Sequence, residues 1–213
     1  MLLHQRSLFG GGEPAVSATP RFERIQLDDE SWVDVARGWL EGSDAVFDEL
    51  VESVDWKQGK RWMYERMVDD PRLSRWFDAQ SAVPHPVLAD ARRALEQHYG
   101  VRFGSVGLNY YRDGKDSVAW HNDKELRELD DTLVAILTLG SCRPFLIRPD
   151  GGGHSINLAP AGGDLLVMGG RCQMDWEHNV PKAKRAGPRI SCSWRWRRAS
   201  ATAAPAPGSA DGT

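Results

Sequence analysis

Apolar residues in the first half of the chain recur at helical spacing in two segments. After Ser43, the expected N-cap of a first helix, they are three and four residues apart at Val46, Phe47, Leu50, Val51 and Val54. A second helix is expected to begin at Pro86 and to end before Gly100, with apolar positions Val87, Ala91 and Leu95. The pattern therefore predicts two amphipathic helices in this half of the chain.

Beyond Gly100 the apolar residues form short runs separated by Gly, Pro and Asp turns. The runs predict eight strands, at Phe103–Tyr111, Val118–Asn122, Thr132–Leu139, Pro144–Arg148, Ser155–Leu158, Asp164–Met168, Trp176–Val180 and Pro188–Arg197. Short strands at nearly regular spacing are typical of a closed or sandwiched antiparallel sheet. The expected fold class is α+β, with a jelly-roll-like double-stranded β-helix core and the N-terminal helices packed on one sheet.

Composition divides the chain into a folded domain and two tails. Residues 1–21 are rich in glycine, proline and small side chains and are expected to be a flexible lead-in. Residues 199–213 form a low-complexity segment that we expect to be disordered. Since 41% of the residues are hydrophobic and 27% are charged, residues 22–198 are predicted to form a single domain around one core.

Several classes of protein are excluded by what the sequence lacks. No apolar run approaches the ~18 residues that a membrane span requires, and the N-terminus has no apolar signal segment. The three cysteines, Cys142, Cys172 and Cys192, are odd in number and widely spaced, which argues against a disulfide framework or a structural zinc site. We therefore expect a monomer in the reducing cytoplasm, with no membrane partner.

Charge is segregated along the chain although the net charge is only -3. Residues 23–55 hold eleven acidic residues against two basic ones, whereas residues 171–198 hold eight basic against two acidic. Residues 56–75 are also basic, with six basic residues against three acidic. A segregated basic face can bind a polyanion, although the same arginines could simply cover a solvated surface.

The candidate chemistry centres on the segment DSVAWHNDKE at residues 116–125. His121 and Asp123 are two residues apart, so on a strand their side chains lie on the same face. Such a pair alone is common as a surface hydrogen bond. With His178, in the downstream segment WEHNVP, it could form the two-histidine, one-carboxylate triad that binds non-haem Fe(II) and leaves coordination positions open.

Two arginines follow His178 on the last predicted strand, in the segment PRISCSWR. A buried Arg189 could pair bidentately with the far carboxylate of a dicarboxylic acid. Taken alone, Arg189 would more simply be a salt bridge at the rim of the barrel. Arg195 lies six residues later on the same strand.

These residues belong to an ordered set of motifs between Val106 and Arg195. The set comprises Asn109-Tyr110-Tyr111 with Asp113-Gly114, Trp120-His121-Asn122-Asp123 with Glu125, the strand Thr132–Gly140, Arg143-Pro144-Phe145, Gly163–Met168, His178 with Val180-Pro181-Lys182, and Arg189 with Arg195. In this order and spacing the motifs resemble the AlkB family of Fe(II)- and 2-oxoglutarate-dependent dioxygenases. The segment Asp55–Phe77 also resembles the substrate lid of bacterial members, which we expect over residues 55–80.

The resemblance implies roles for individual residues. It implies that Fe(II) is bound by His121, Asp123 and His178. It implies that 2-oxoglutarate is bound by Arg189 at its distal carboxylate, by Arg195 near its metal-proximal end, and by Asn109 and Tyr111 from the opposite strand. Substrate contacts are implied for Glu125 and for the lid residues Trp62 and Tyr64. One departure is Ser191, where many relatives have asparagine, so the hydrogen bonds around 2-oxoglutarate are expected to differ.

The implied function is oxidative dealkylation of N-alkylated bases in DNA, with Fe(II), 2-oxoglutarate and O₂ as cofactor and co-substrates. A base must leave its stack to reach a metal inside a barrel, so the basic segments 56–75 and 171–198 are candidates for contacting phosphates. The motifs do not separate DNA from RNA or tRNA, from a protein side chain, or from a small metabolite. A non-catalytic binding module and a zinc or manganese cupin isomerase are the remaining alternatives.

Overall fold

The computed structural model describes residues 12–63 and 65–198. Within those ranges there are three helices, namely α1 (Ser43–Ser53), α2 (Pro86–Tyr99) and α3 (Cys172–Asp175). The strands of the same ranges are β1 (Ala15–Val16), β2 (Glu23–Gln26), β3 (Ser31–Ala36), β4 (Leu40–Glu41), β5 (Lys57–Met63), β6 (Arg66–Phe77), β7 (Val106–Tyr111), β8 (Val118–His121), β9 (Thr132–Gly140), β10 (Leu146–Pro149), β11 (Ile156–Asn157), β12 (Leu165–Gly170), β13 (Trp176–Val180) and β14 (Arg189–Arg197).

Both predicted helices are present, but the expected cap of α1 is wrong. The N-cap is Gly42, in the left-handed conformation with φ 63°, and Ser43 is the first helical residue. A Cβ at position 42 would lie 2.7 Å from the Gly12 carbonyl oxygen, so that close approach requires glycine. In α2, His85 Nδ1 accepts a hydrogen bond from the Val87 amide and a left-handed Gly100 ends the helix. Among the described residues, no helix combines the length and apolar content needed to cross a membrane.

The larger sheet has eight strands in the order β2-β3-β12-β9-β14-β7-β6-β5. Its central strand β9 is buried along its whole length, because both faces of the sheet are covered. Odd-numbered residues of β9 such as Leu137 pack in the core beneath α1 and α2. Even-numbered residues such as Ile136 pack in a second core, toward the smaller sheet.

The smaller sheet has four strands in the order β11-β10-β13-β8. Its residues Ile147 and Val180 belong to the second core, so this sheet faces the larger one. In this sheet β13 and β8 are antiparallel, and His178 lies directly opposite His121. All eight strands predicted after Gly100 are present, and the predicted α+β fold with a jelly-roll-like core is confirmed.

The strands before α2 were not predicted from the sequence. Ala15 and Val16, which were expected to belong to a flexible lead-in, form β1 and pair with β4, so that expectation is wrong for this part. Strands β2 and β3 join the larger sheet. The buried Asp34 interrupts the apolar pattern of β3, and it can be buried because Arg24 pairs with it bidentately. The rest of the predicted lead-in, residues 1–11, and the predicted tail, residues 199–213, lie outside the described residues.

The segment expected to be the lid contains the hairpin β5–β6, which extends the larger sheet. Strand β6 pairs with β7, with Ser74 opposite Asn109. The ladder between β5 and β6 is irregular: Gln58 faces Leu73, whereas Lys60 faces Asp69. One residue of β5 therefore lies opposite three residues of β6, and the middle one, Pro71, accepts a hydrogen bond from the Ser117 amide at 2.7 Å.

The loop between β7 and β8 is fixed by two arginines. Asp116 accepts hydrogen bonds from the Arg112 amide and guanidinium at 2.7 to 2.9 Å. Arg143, which is 1% exposed, donates to the carbonyl oxygens of Asp113 and Asp116, both at 2.7 Å. Because β8 begins two residues after Asp116, these contacts position the strand that carries His121.

Asp116→Asn is expected to lower the free energy of unfolding at pH 7 by about 1.5–3 kcal/mol, the range for a hydrogen bond to a charged group. Burial raises the pKa of Asp116, but the hydrogen bonds and charge of Arg112 outweigh it and leave that pKa below 3.8. This stabilisation is complete above the unfolded value and is lost as pH falls through the lowered pKa. Urea unfolding at pH 7 and pH 3 measures it. An equal deficit at both pH values, or a similar one in the exposed control Asp150→Asn, would contradict the expectation.

Candidate metal and co-substrate site

A cavity of about 180 Å³ opens between the two sheets. The wall includes six of the residues assigned to metal or co-substrate, namely Asn109, Tyr111, His121, Asp123, His178 and Arg195. The other lining residues are Arg72, Val118, Val134, Ile136, Phe145, Val180, Ser191 and Ser193. The cavity thus brings imidazole, carboxylate and guanidinium groups together with apolar side chains.

The two histidines form one wall of this cavity. Their ring centroids are 4.3 Å apart, as expected for residues opposite each other on neighbouring antiparallel strands. His121 Nδ1 lies 2.8 Å from the Ala119 carbonyl oxygen, so this nitrogen donates and Nε2 is the nitrogen left to face a metal. An imidazole oriented by a backbone carbonyl in this way is typical of metal-binding histidines.

His178 is buried and neutral. Burial, with the charges of His121 and Arg195, lowers the pKa of His178 to about 3, and the opposing effect of Asp123 is smaller. The neutral ring is the form that binds a metal ion. Phe145 stacks on it with centroids 5.4 Å apart and planes 16° apart, which fixes the orientation of the imidazole.

Asp123 is already paired with Arg195. Arg195 Nε is 2.7 Å from Asp123 Oδ2, and Nη2 is 3.1 Å from Oδ1. Burial raises the pKa of Asp123, but the hydrogen bonds and charge of Arg195 outweigh burial and lower it. Within residues 12–63 and 65–198, no three His, Cys, Asp or Glu side chains form a ready set of metal ligands. The predicted triad thus lines one cavity with its carboxylate bound to an arginine.

Arg189 is completely buried on the same face of β14 as Arg195. Its Nη2 is 3.3 Å from Thr138 Oγ1, while Nε and Nη1 have no partner among the described residues. Burial lowers the pKa of Arg189 to about 10, so the guanidinium is charged at neutral pH. A buried cation with two unused donors suits a carboxylate ligand, because leaving such donors unpaired is costly.

Asn109 and Tyr111 lie on β7, next to β14 in the sheet. Asn109 is opposite Ser191, and Tyr111 is opposite Arg189. Burial raises the pKa of Tyr111, so its hydroxyl is neutral and available as a donor. Asn109 Oδ1 accepts a hydrogen bond from Arg72 Nε at 3.0 Å.

The residues assigned to substrate are less enclosed. Glu125 is 68% exposed, with Oε1 3.8 Å from Arg195 Nε. Trp62 is also 68% exposed and lies opposite Met67 near the end of the β5–β6 hairpin. Tyr64 lies outside the described residues. Of these three residues, the structure thus brings Glu125 next to a cavity-lining residue.

Trp76 was missed by the sequence analysis, although it lies beside the cavity. The guanidinium carbon of Arg195 is 5.5 Å from the centroid of its ring, and the side chain is half exposed. A Cβ at Gly107 would be only 2.3 Å from the Trp76 ring, so the ring occupies the space that the glycine leaves. The sequence could have indicated this position only through the pairing of β6 with β7, which places Trp76 opposite Gly107.

Two further polar residues were missed. Arg72 lines the cavity from β6 and has a buried Nη1 without a partner among the described residues. Gln173 is completely buried and its Oε1 accepts a hydrogen bond from the Asp123 amide at 2.9 Å. No local motif marks either residue, because each reaches the site from an element distant in sequence.

Comparisons with known proteins identify the family to which the chain belongs. The model of the 2OG-Fe(II) oxygenase superfamily matches residues 41–203. The chain is 32% identical over 177 residues to the alpha-ketoglutarate-dependent dioxygenase alkB homolog 3 of Bos taurus, which covers 73% of this chain and 62% of that protein. It is 27% identical over 222 residues to the DNA oxidative demethylase ALKBH2 of Mus musculus, which covers 89% of this chain and 93% of that protein. The chain spans 55% to 62% of the length of the alkB homolog 3 proteins that it matches.

Solved structures with low sequence identity share the fold. A prolyl-4-hydroxylase of Pseudomonas putida has a TM-score of 0.57 at 15% identity and covers 79% of this chain and 93% of that chain. Members of the 2OG-Fe(II) oxygenase superfamily use Fe(II), 2-oxoglutarate and O₂. The chain belongs to this superfamily and, as its similarity to the alkB homologs shows, to the AlkB family within it.

Proposed function

We propose that the protein is an Fe(II)- and 2-oxoglutarate-dependent dioxygenase that removes alkyl groups from N-alkylated bases in DNA. The products would be an aldehyde, succinate, CO₂ and the restored base. The observation that carries this proposal is the cavity between the sheets, where His121 and His178 oppose the arginine-bearing face of β14. The name of the relative ALKBH2, a DNA oxidative demethylase, supports DNA as the substrate.

The donors present fit a ferrous ion. Two neutral imidazoles and one carboxylate are the set that binds non-haem Fe(II) with open positions. His121, Asp123 and His178 would bind the metal, and the Asp123 carboxylate would then lie beside two cations, the metal and Arg195. Bound Fe(II) and 2-oxoglutarate would supply the oxidation of the alkyl C–H bond by O₂.

The cations of β14 fit the co-substrate. The two unpaired nitrogens of Arg189 would bind the distal carboxylate of 2-oxoglutarate. Asn109, Tyr111 and Arg195 line the same cavity as the histidines and would contact the remainder of 2-oxoglutarate. Phe145 and Ile136 would exclude water, so that the hydrogen bonds to 2-oxoglutarate form in a medium of low dielectric constant.

The substrate base would reach this cavity past the β5–β6 hairpin. The base must be unpaired or flipped out, which is easiest for a damaged base or a single strand. Basic side chains of the hairpin, Lys57, Lys60, Arg66 and Arg75, would contact phosphates. We propose a monomer in a reducing cytoplasm, in keeping with three free cysteines.

Product release tests the function directly. Purified protein with Fe(II) and 2-oxoglutarate would be supplied with methylated DNA and methylated RNA side by side, and formaldehyde and succinate would be measured. The proposal expects both products from DNA, in equal amounts. Release of both products from RNA alone would mean that the substrate is RNA and not DNA. Release from neither, without an absorption band on anaerobic addition of Fe(II) and 2-oxoglutarate, would favour a non-catalytic binding module.

Trp76→Ala is expected to raise the KM for a methylated oligonucleotide by roughly five- to a hundredfold, the range for loss of one base–aromatic stack. The exposed ring beside Arg195 offers a base a flat apolar surface at the edge of the cavity. Trp62→Ala on the same hairpin is the matched control. Steady-state assays with both variants decide between the two rings, and a larger effect at Trp62 would return the stacking role to the residue first assigned it.

A further inference from the structure

The environment of Asp123 is fixed from two directions. Its amide donates to Gln173 Oε1, and Gln173 is completely buried. Its carboxylate receives both Nε and Nη2 of Arg195. Since the Asp123 side chain is only 10% exposed, water replaces little of this pairing. A buried carboxylate without a cation would be strongly destabilising, so Arg195 supplies its charge compensation.

A divalent metal would compete with Arg195 for the same carboxylate. Both oxygens are occupied by the guanidinium, and the described residues contain no ready set of three ligands. A metal ion at His121 and His178 would bring a second positive charge to this carboxylate, which weakens its hydrogen bonds to Arg195 and favours the release of at least one of them. The guanidinium then needs another acceptor, because a half-buried charged donor without a partner is costly.

A second carboxylate lies close enough to become that acceptor. Glu125 Oε1 is 3.8 Å from Arg195 Nε, an ion-pair distance that is too long for a hydrogen bond. The Glu125 side chain is 68% exposed, so most of its surface is in contact with solvent rather than packed against the protein. Arg195 Nη1 also lies 3.4 Å from Ser193 Oγ, which keeps the guanidinium near both acidic residues.

We propose that Arg195 is the resident counter-ion of Asp123 in the metal-free protein, and that it transfers hydrogen bonding to Glu125 when a divalent metal takes up Asp123. This proposal rests on the metal site of the proposed function. It makes Arg195 a positioning residue that keeps the empty site folded and lowers its affinity for metal. It also gives Glu125 a role in metal loading, besides the substrate contact that the family resemblance implies.

The proposal predicts that two variants change the affinity for Co²⁺ in opposite directions. Arg195→Met removes the competitor, so we expect Co²⁺ to bind roughly tenfold more tightly, the scale of one charge-assisted hydrogen bond. Glu125→Gln replaces the charged alternative acceptor with a weaker neutral one, so Co²⁺ should bind several-fold more weakly. If Arg195 only oriented Asp123 for the metal, Arg195→Met would bind Co²⁺ more weakly. The sign of the change therefore separates competition from orientation.

The experiment is an anaerobic Co²⁺ titration of the full chain without 2-oxoglutarate, followed by visible absorption. Wild type, Arg195→Met and Glu125→Gln are compared with Arg24→Met, which removes the bidentate partner of a different buried carboxylate, Asp34. Arg24→Met is expected to leave Co²⁺ affinity within about twofold of wild type. Thermal unfolding of metal-free Arg195→Met is expected to occur at a lower temperature, because Asp123 loses its counter-ion.

Unchanged or weaker Co²⁺ binding in Arg195→Met overturns the proposal, as does an equal gain in Arg24→Met. If Arg195→Met does not fold, Glu125→Gln decides, since its side chain is exposed: unchanged affinity there overturns the proposal. If Co²⁺ binds but the affinities of the variants change in the opposite directions, this inference fails and the proposed function remains. If no variant binds Co²⁺, the metal site and this inference fail together.

Discussion

Asp123→Ala is expected to reduce aldehyde and succinate release to the level of the metal-free protein. Asp123 is the one carboxylate of the proposed triad, and a pair of histidines alone leaves the ion weakly bound. The change also leaves Arg195 without its closest acceptor, so unfolding should occur at a lower temperature than in wild type. Product assays at saturating Fe(II) and 2-oxoglutarate, with circular dichroism to establish folding, measure both effects.

The matched control for this change is Asp150→Ala, which removes an exposed carboxylate from the turn between β10 and β11. Activity close to wild type is expected there. Substantial product release by folded Asp123→Ala would remove this residue from the metal site, and the function would then need a different carboxylate.

Arg189→Met is expected to change co-substrate binding and stability in opposite directions. Loss of the buried partner of a carboxylate costs about 2–5 kcal/mol, so the KM for 2-oxoglutarate should rise by roughly thirtyfold to several thousandfold. In the protein without 2-oxoglutarate, however, Arg189 is a buried charge with two unpaired nitrogens. Replacing it with an apolar side chain of similar length is therefore expected to raise the unfolding temperature.

Succinate production at increasing 2-oxoglutarate concentrations measures the first effect, and thermal unfolding without ligand measures the second. Arg189→Lys is the graded control: it keeps a charge but loses the planar fork, so its KM should lie between those of wild type and Arg189→Met. An unchanged KM in Arg189→Met would place the distal carboxylate elsewhere, and a lower unfolding temperature would mean that the buried guanidinium is compensated.

The sequence predicted the second half of the fold because its strands are bounded by clear turns. Strands such as β9 are buried on both faces, and their continuous apolar runs are easy to recognise. Strands β2 and β3 were missed because one buried pair, Asp34 with Arg24, places a polar residue where the alternating pattern requires an apolar one. Local pattern cannot reveal a charge that is compensated from a neighbouring strand.

In the site, too, the residues that are close in sequence could be predicted, whereas contacts between distant strands could not. His121 and Asp123 are close in sequence, and the resemblance to a family supplied His178 and Arg189. The pairing of Asp123 with Arg195 depends on how β8 and β14 face each other across the cavity, which no spacing within either strand specifies. Trp76 was missed for a related reason: its position follows from the pairing of β6 with β7 and from the absence of a side chain at Gly107.

If the β5–β6 hairpin is the lid that the family resemblance implies, its irregular ladder limits which part of it could adjust to different ligands. On the side nearest β7, Ser74 is bonded into the eight-stranded sheet, and the Pro71 carbonyl is tied to Ser117. Any hinge must therefore lie beyond this anchored base, at the mismatch around Gly59. Bending there would move the outer turn of the hairpin, with Trp62 and Met67, while Arg72 and Trp76 stayed in register with the barrel. Variation in ligand size would then be accommodated by the outer turn, and ligand orientation would be set by the fixed base.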